Sequence, residues 1–264
     1  MTLNYETLDI AVDDRGIVQL RLNRPDKRNA LSAQMIDDLT DFAAKALPRR
    51  DWRAIILSGR GDVFCAGGDL GWMQAQIDAD RNTRMVEAKK LAMMLKALNE
   101  LPQPLIGKVH GGAYGGGVGM CAVCDVVVAA EDAKLGLTET RLGLIPATIG
   151  PYVISRMGEG MARRVFMSAR IFTASQAQDL GLVARVVPLA DLDAAVEVEA
   201  SPYLATAPGA VAAAKSLARR LGQGATDMMI DASIEALADT WETDEAREGI
   251  AAFFDKRSAT WVRK

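Results

Sequence analysis

Gly111-Gly-Ala-Tyr-Gly-Gly-Gly-Val-Gly119 places six glycines in nine residues. That concentration costs backbone entropy and suits only a chain that turns sharply or lets something approach its backbone. The stretch follows an apolar strand, Leu105 to Val109, and runs into Val118-Gly-Met-Cys-Ala-Val-Cys124, which reads as a short buried helix ahead of another strand, Asp125 to Ala130. Free N–H groups at the start of such a helix, at the positive end of its dipole, face an anion or a developing oxyanion. The plain alternative is a tight packing turn with no ligand. Gly117-x-Gly119-x-x-Ala122 also fits the dinucleotide fingerprint of an NAD-dependent dehydrogenase. Only about seven residues separate Gly117 from the next strand, however, too few for a βαβ crossover.

Working outward, the first half interleaves short strands with helices. Glu6 to Val12 and Ile17 to Asn23 flank Asp13-Asp14-Arg15-Gly16, a hairpin signal. Ser32 is a good N-cap for a helix with Met35, Ile36, Leu39, Phe42, Ala43, Ala46 and Leu47 on its apolar face, stopped by Pro48. Ala54 to Ser58 reads as a buried strand, and Asn82 to Leu98 as a second amphipathic helix. From Gly158 helices dominate: Met161 to Ala169, Ser175 to Leu180, Pro208 to Leu221 and Ala225 to Trp241, with one strand at Leu182 to Val187. The pattern is α/β, divided into a core over residues 1–200 and a helical C-terminal region over 201–264. No fixed-period repeat is visible.

Composition narrows the function. With 50% hydrophobic and 25% charged residues, the 264-residue chain buries a sizeable core. A formal charge of −3 supplies no field for nucleic acid or an anionic membrane, so neither is expected as a partner. The longest apolar run, Val126 to Ala130, falls far short of the roughly 20 residues that cross a bilayer, and the start lacks a basic and apolar leader, so a cytoplasmic location is expected. Three cysteines, Cys65, Cys121 and Cys124, are too few for a disulfide framework. Cys121-x-x-Cys124 stands alone beside a single histidine, so core thiols and no metal are expected. His110 would have to serve alone in any Ser-His-Asp or Cys-His scheme. A second glycine turn, Phe64-Cys-Ala-Gly-Gly-Asp-Leu70, follows the strand at Ala54. Two such turns after two buried strands can each point one N–H at the same carbonyl oxygen.

Asn23-Arg-Pro-Asp-Lys-Arg-Asn-Ala-Leu31, Phe64 to Leu70, Tyr114-Gly-Gly-Gly117, Cys124-Asp125 and Glu139-Thr-Arg-Leu-Gly-Leu-Ile-Pro146 together resemble the crotonase (enoyl-CoA hydratase/isomerase) superfamily in order and spacing. The likeness extends to Ser175 to Val183 and to Glu248-Gly-Ile-Ala-Ala-Phe-Phe-Asp-Lys-Arg257. It implies a spiral of repeated ββα units with a helical trimerisation region, assembly as a homotrimer or dimer of trimers, and a coenzyme A thioester as substrate with no separate cofactor. The matching oxyanion-hole positions are Ala66 and Gly116, and a side chain at Gly116 is expected to crowd the thioester. Lys27 and Arg28 match the loop along the CoA nucleotide, where a solvated loop is the plain alternative. Ala30, Gly68, Asp69, Leu70 and Tyr114 fall along the same thioester site, with Asp69 and Asp125 also suited to structural turn and cap roles.

Hydratases of that superfamily typically carry two glutamates. The second is present as Glu139, whereas the first is replaced by Gly119. A lone glutamate that carries a proton from Cα to Cγ suits a delta-isomerase. Against this, Gly136 to Tyr152 looks most like bacterial methylglutaconyl-CoA hydratases of leucine breakdown, and feruloyl-type hydratases manage with the second glutamate alone. The resemblance therefore implies a hydratase for a branched 2-enoyl-CoA, with isomerase as the alternative and a non-catalytic acyl-CoA-binding or RNA-binding protein more remote. Arg141, two residues after Glu139, suits either a substrate carboxylate or a surface salt bridge.

Overall fold

The computed structural model describes residues 3–222 and 224–262. The chain opens with the expected hairpin, β1 (Leu8–Val12) against β2 (Ile17–Leu22). Its turn is tied by the Asp13 carboxylate, which accepts from the amides of Arg15 at 3.0 Å and Ile17 at 2.9 Å. Ser32 caps α1 (Ala33–Ala46) by accepting from Met35 N. The apolar face of α1 is buried as read, except that Leu47 lies past the helix end and is 50% exposed. The same face buries Asp38, which accepts from the amide and hydroxyl of Thr7 and so fastens α1 to the start of β1.

Beyond this point the chain coils. β3 (Ala54–Gly59) leads to α2 (Leu70–Asp78) and α3 (Arg81–Asn99); β4 (Leu105–Val109) leads to β5 (Gly112–Tyr114) and α4 (Gly116–Val123); β6 (Val126–Ala130) leads to β7 (Lys134–Gly136), α5 (Gly150–Met157) and α6 (Glu159–Phe166). Next come β8 (Ile171–Thr173), α7 (Ala174–Asp179), β9 (Arg185–Val187) and α8 (Leu192–Ala200), then α9 (Pro208–Leu221), α10 (Asp227–Trp241) and α11 (Asp244–Phe254). One sheet has the order β1-β2-β3-β4-β6-β9, parallel from β2 onward; the other has the order β5-β7-β8. The turns that begin with β4 and β6 each lay a strand in the large sheet, cross to the small one through β5 or β7 and return by helices, while the turn from β3 touches the small sheet only at the Cys65–Ala113 bridge. This is the α/β spiral of ββα units that the resemblance implied.

The alternation of strand side chains explains the layers. Leu20, Leu57, Leu105 and Val127 face the main core with α1 and α3, whereas Ile17, Ile56, Ile106 and Val128 face a second core closed by α8. Helix α8 was not evident in the sequence, yet a parallel sheet apolar on both faces requires a cover there. The lone CxxC resolves as buried free thiols, with Cys124 Sγ against Met120 O. Near the C-terminus, α10 contributes Ile230 and Ile234 to the main core, while α9 buries none of its own residues in this chain. Helix α9 is nonetheless fastened by Lys215, which donates to Asp125 Oδ2 at 2.6 Å; that oxygen also accepts from Leu105 N. No described helix is long and apolar enough to cross a membrane.

The last helix sits backbone against backbone on the turn at residues 139–142. A Cβ on Gly249 would lie 2.5 Å from the Leu142 carbonyl carbon, and one on Gly143 the same distance from that of Glu245. Such contact admits no methyl group, so Gly249→Ala is expected to destabilise the fold by about 2 kcal/mol. The measurement is the urea midpoint at unchanged m-value; an unmoved midpoint would show that α11 is not seated there.

Candidate active site

Three segments run side by side at the heart of the small sheet. Cys65 donates to Gly112 O and accepts from Tyr114 N, both at 3.0 Å, which sets Cys65 level with Ala113 in a parallel bridge. Ala113 is in turn paired with Leu135 in the parallel β5–β7 register. All three residues are fully buried. Three residues downstream of Cys65 stands Gly68, three downstream of Ala113 stands Gly116, and four downstream of Leu135 stands Glu139. One cross-strand row thus aims three chain segments at one place.

The hydrogen-bond map corrects the expected oxyanion donor. The Ala66 amide is already committed to Arg28 O at 2.9 Å. Leu31 pairs with the other side of this turn, donating to Gly67 O at 2.7 Å and accepting from Asp69 N at 3.0 Å. In that parallel pattern the intervening Gly68 N–H points away, and it has no acceptor among the described residues. Gly116 is the first residue of α4, so its N–H has no partner within the helix either. Both glycines line the same cavity, and their turns touch: a Cβ on Gly115 would lie 3.9 Å from Gly67 Cα. Gly68 and Gly116 thus each offer a free donor beside the cavity among the described residues. The reason for glycine at 116 also differs from expectation, since a Cβ there would meet Leu31 Cδ1 at 2.4 Å rather than crowd the cavity. At Gly115 the requirement is conformational, with φ of +48°.

Glu139 opens a 3-10 turn, Glu139–Leu142, directed by the bond from Gly115 N to Gly136 O at the end of β7. Its Oε1 lies 3.2 Å from the Gly115 Cβ position, which places the carboxylate beside the Gly116 amide. Although the residue is half-buried, its Oε2 is sealed from solvent and has no hydrogen-bond partner among the described residues. Burial pushes the carboxyl up to about 7, against a weaker opposing pull from the amides of Glu139 and Thr138. The cavity around it measures about 430 Å³ and has mostly apolar walls, among them Leu31, Trp72, Leu91, Ile149 and Trp241. That volume lies within the range of small-molecule sites.

The other expected residues divide. Leu70 and Tyr114 line the cavity. Asp69 does not: its Oδ1 caps α2 through the amides of Gly71 and Trp72, and its Oδ2 pairs with Arg24 at 2.9 Å. Burial alone would raise its carboxyl, but Arg24 and the two amides outweigh burial and hold it below the usual range. Ala30 is buried and serves through its carbonyl, which accepts from Arg24. Lys27 and Arg28 are exposed, form no ion pair among the described residues, and lie outside the cavity wall, although Arg28 O fixes the Ala66 turn. Asp125 is structural, as its bonds to Leu105 N and Lys215 show. His110 is spent on Gly61 O, away from the cavity. Arg141 is exposed at the cavity and makes no surface salt bridge among the described residues. At Gly119 a Cβ would lie 2.6 Å from Ile149 Cγ2 and 3.2 Å from Leu95 Cδ1, so the place of the missing glutamate is filled by core. The sequence reading missed Gln76, Arg84 and Trp241, which line the cavity from α2, α3 and α10. No local motif marks them.

Comparison with known proteins agrees with this geometry. The family model described as enoyl-CoA hydratase/isomerase matches residues 13–264. The crystal structure of an enoyl-CoA hydratase from Shewanella pealeana is 34% identical and superposes with a TM-score of 0.80 over 98% of this chain and 97% of its own. An enoyl-CoA hydratase structure from Mycobacterium avium gives 29% identity and a TM-score of 0.87 over 98% and 100%. A crotonyl-CoA hydratase of Syntrophomonas wolfei is 29% identical over 98% of this chain and 99% of that one. Two unpaired amides and a desolvated carboxylate on a ββα spiral are thus found in a chain that belongs to the enoyl-CoA hydratase/isomerase family.

Proposed function

We propose that the chain adds water to a branched 2-enoyl-CoA of the methylglutaconyl type, with Glu139 as its one acid–base side chain. The observation that carries this reading is the single desolvated carboxylate placed beside two free backbone donors. The thioester oxygen accepts from Gly68 and Gly116 N–H, so negative charge grows on an atom already faced by fixed dipoles, and each such donor is worth about 3 kcal/mol. Ionised Glu139 takes a proton from water; the hydroxyl bonds to Cβ as the Cα–Cβ π pair moves through the carbonyl to form the enolate; Glu139 then returns the proton to Cα. No electron leaves or enters, so no redox cofactor is called for. The relatives described as enoyl-CoA and crotonyl-CoA hydratases support water addition as the chemistry. The second reading, a delta-isomerase, draws on the same lone carboxylate, which can move a proton from Cα to Cγ without water. Lys27 and Arg28, exposed and in no ion pair among the described residues, suit the CoA phosphates. Helix α9, with no residue buried in this chain and with Leu221 80% exposed, suits an interface in a homotrimer or dimer of trimers. The location is proposed as cytoplasmic.

Glu139→Gln should lower kcat for hydration of 3-methylglutaconyl-CoA by 10²–10⁴-fold while leaving thioester affinity within a few-fold. Retained turnover would overturn the assignment, and movement of 3-enoyl to 2-enoyl thioesters without hydration would favour the isomerase. In the wild type, kcat/KM should fall tenfold per pH unit below about 7, because the cycle begins from the ionised carboxylate.

Stability should move in the opposite sense. The folded-state value lies above the ordinary 4.5, so the folded chain keeps a proton that the unfolded chain loses between 4.5 and about 7. The resulting stabilisation is present at acid pH and lost as pH rises through about 7. Glu139→Gln is therefore expected to gain stability over the wild type at pH 8, by up to about 3 kcal/mol, with the gap closing toward pH 5. Denaturant titrations at the two pH values check the sign. Gly119→Glu should not supply a second catalytic carboxylate; it should cost at least about 2 kcal/mol and depress activity, because Ile149 and Leu95 occupy the space.

A further inference from the structure

Helix α2 is oddly patterned for one that merely packs. Gln76 is its only buried residue, at 5% exposed, while Leu70 at its start is 54% exposed. The Gln76 carboxamide makes no hydrogen bond among the described residues and is not sealed off, so both of its polar atoms are open to a ligand in the cavity it lines. Arg84, on the first turn of α3, lies beside it. Its Nε donates to Gln76 O at 2.7 Å and its Nη2 to Ile77 O at 3.1 Å, and its guanidinium lies 5.3 Å from the centre of the Trp241 ring. Those bonds close the end of α2 and hold the plane of the fork, and Nη1 has no acceptor among the described residues. Arg84 forms no ion pair among the described residues: Asp239 and Glu242 pair with Arg81, Glu87 pairs with Lys90, and Asp80, which feels the Arg84 charge, spends its carboxylate on capping α3. Gln76 and Arg84 both line the cavity that holds Gly68, Gly116 and Glu139. A cavity with mostly apolar walls thus holds, besides Glu139 and the exposed Arg141, one backbone-anchored guanidinium and one carboxamide that makes no hydrogen bond among the described residues.

We infer that Arg84 and Gln76 form a subsite for a carboxylate carried on the acyl group, one oxygen accepting from Arg84 Nη1 and the other from Gln76 Nε2. The inference rests on the hydratase reading for its substrate and names the residues that select it. A planar carboxylate matches a guanidinium fork, and in an apolar cavity a charge-assisted pair discriminates strongly against an uncharged group of equal shape. The assignment differs from the one that Arg141 invites, since Arg141 is solvent-exposed and Arg84 is held by two backbone carbonyls.

The test compares ligands that differ only at this end. Glutaryl-CoA and 5-methylhexanoyl-CoA, in which an isopropyl group replaces the carboxylate, are titrated by calorimetry. The corresponding enoyl esters, glutaconyl-CoA and 5-methylhex-2-enoyl-CoA, are assayed for hydration. The wild type should favour the carboxylate in Kd and in kcat/KM. The ratio should fall about 100-fold in Arg84→Gln and about 10-fold in Gln76→Leu, chiefly through KM. Gln76→Leu keeps the volume and leaves the backbone cap intact, so it decides the matter should Arg84→Gln fail to fold. Equal binding of the two saturated esters by the wild type would overturn the subsite, as would a ratio unmoved in Gln76→Leu, or one that collapses in Arg141→Gln but not in Arg84→Gln. A wild type that favours glutaryl-CoA yet hydrates neither enoyl ester would uphold the subsite and defeat the hydratase reading alone.

Discussion

The buried row Cys65–Ala113–Leu135 is the constraint on which the site depends. Parallel pairing permits one register, because a slip of one residue turns each side chain to the other face and puts core atoms into solvent. With the register locked by burial, chain segments remote in sequence leave the sheet side by side, and Gly68, Gly116 and Glu139 follow at nearly equal distances. The glycines serve this arrangement more than they serve a ligand: Gly116 makes room for Leu31, and Leu31 holds the other glycine turn through Gly67 and Asp69. Each donor is thus supported by the neighbour of the other.

Polar groups around the cavity are few and are sorted by partner. Asp69 is neutralised by Arg24 and by the amides of α2, so its charge does not compete with that of Glu139. The carboxylate left alone is the one whose proton affinity burial has raised toward neutrality, which is where proton exchange in both directions is least costly. The apolar walls that raise it also strengthen the two free amides, since both effects come from the exclusion of water.

Much of this was legible in the sequence wherever local physics decides structure. Ser32, the run Leu105 to Val109 and the helix over Asn82 to Leu98 all emerged close to their observed bounds, and the glycine cluster marked the site. The small sheet was not legible: β5, β7 and β8 are three residues each, too short to show a period, and they exist only because the coil brings them together. The structural repeat was hidden for the same reason, its three turns having different helices between similar strands. The free amide lies two residues beyond the expected one, because amide direction depends on which neighbour a turn pairs with. Arg28 claims Ala66, and no composition rule reports that. Gln76 and Arg84 were invisible because α2 lacks an apolar stripe and matters only through the cavity it faces.

Gly143 and Gly249, where the last helix meets the turn that carries Glu139, have a bearing on how the site is assembled. The amide donors are held by strands adjacent in the coil, so their geometry is available as soon as those strands pair. The turn at 139–142 acquires its brace only when α11, from the far end of the chain, closes a contact of very long sequence separation, the kind whose loop-closure entropy is met late in folding. Contacts of this kind are also exposed to local opening that leaves the rest of the fold intact. The two free amides and the one desolvated carboxylate therefore rest on different supports, the first on strands adjacent in the coil and the second on a helix from the far end of the chain.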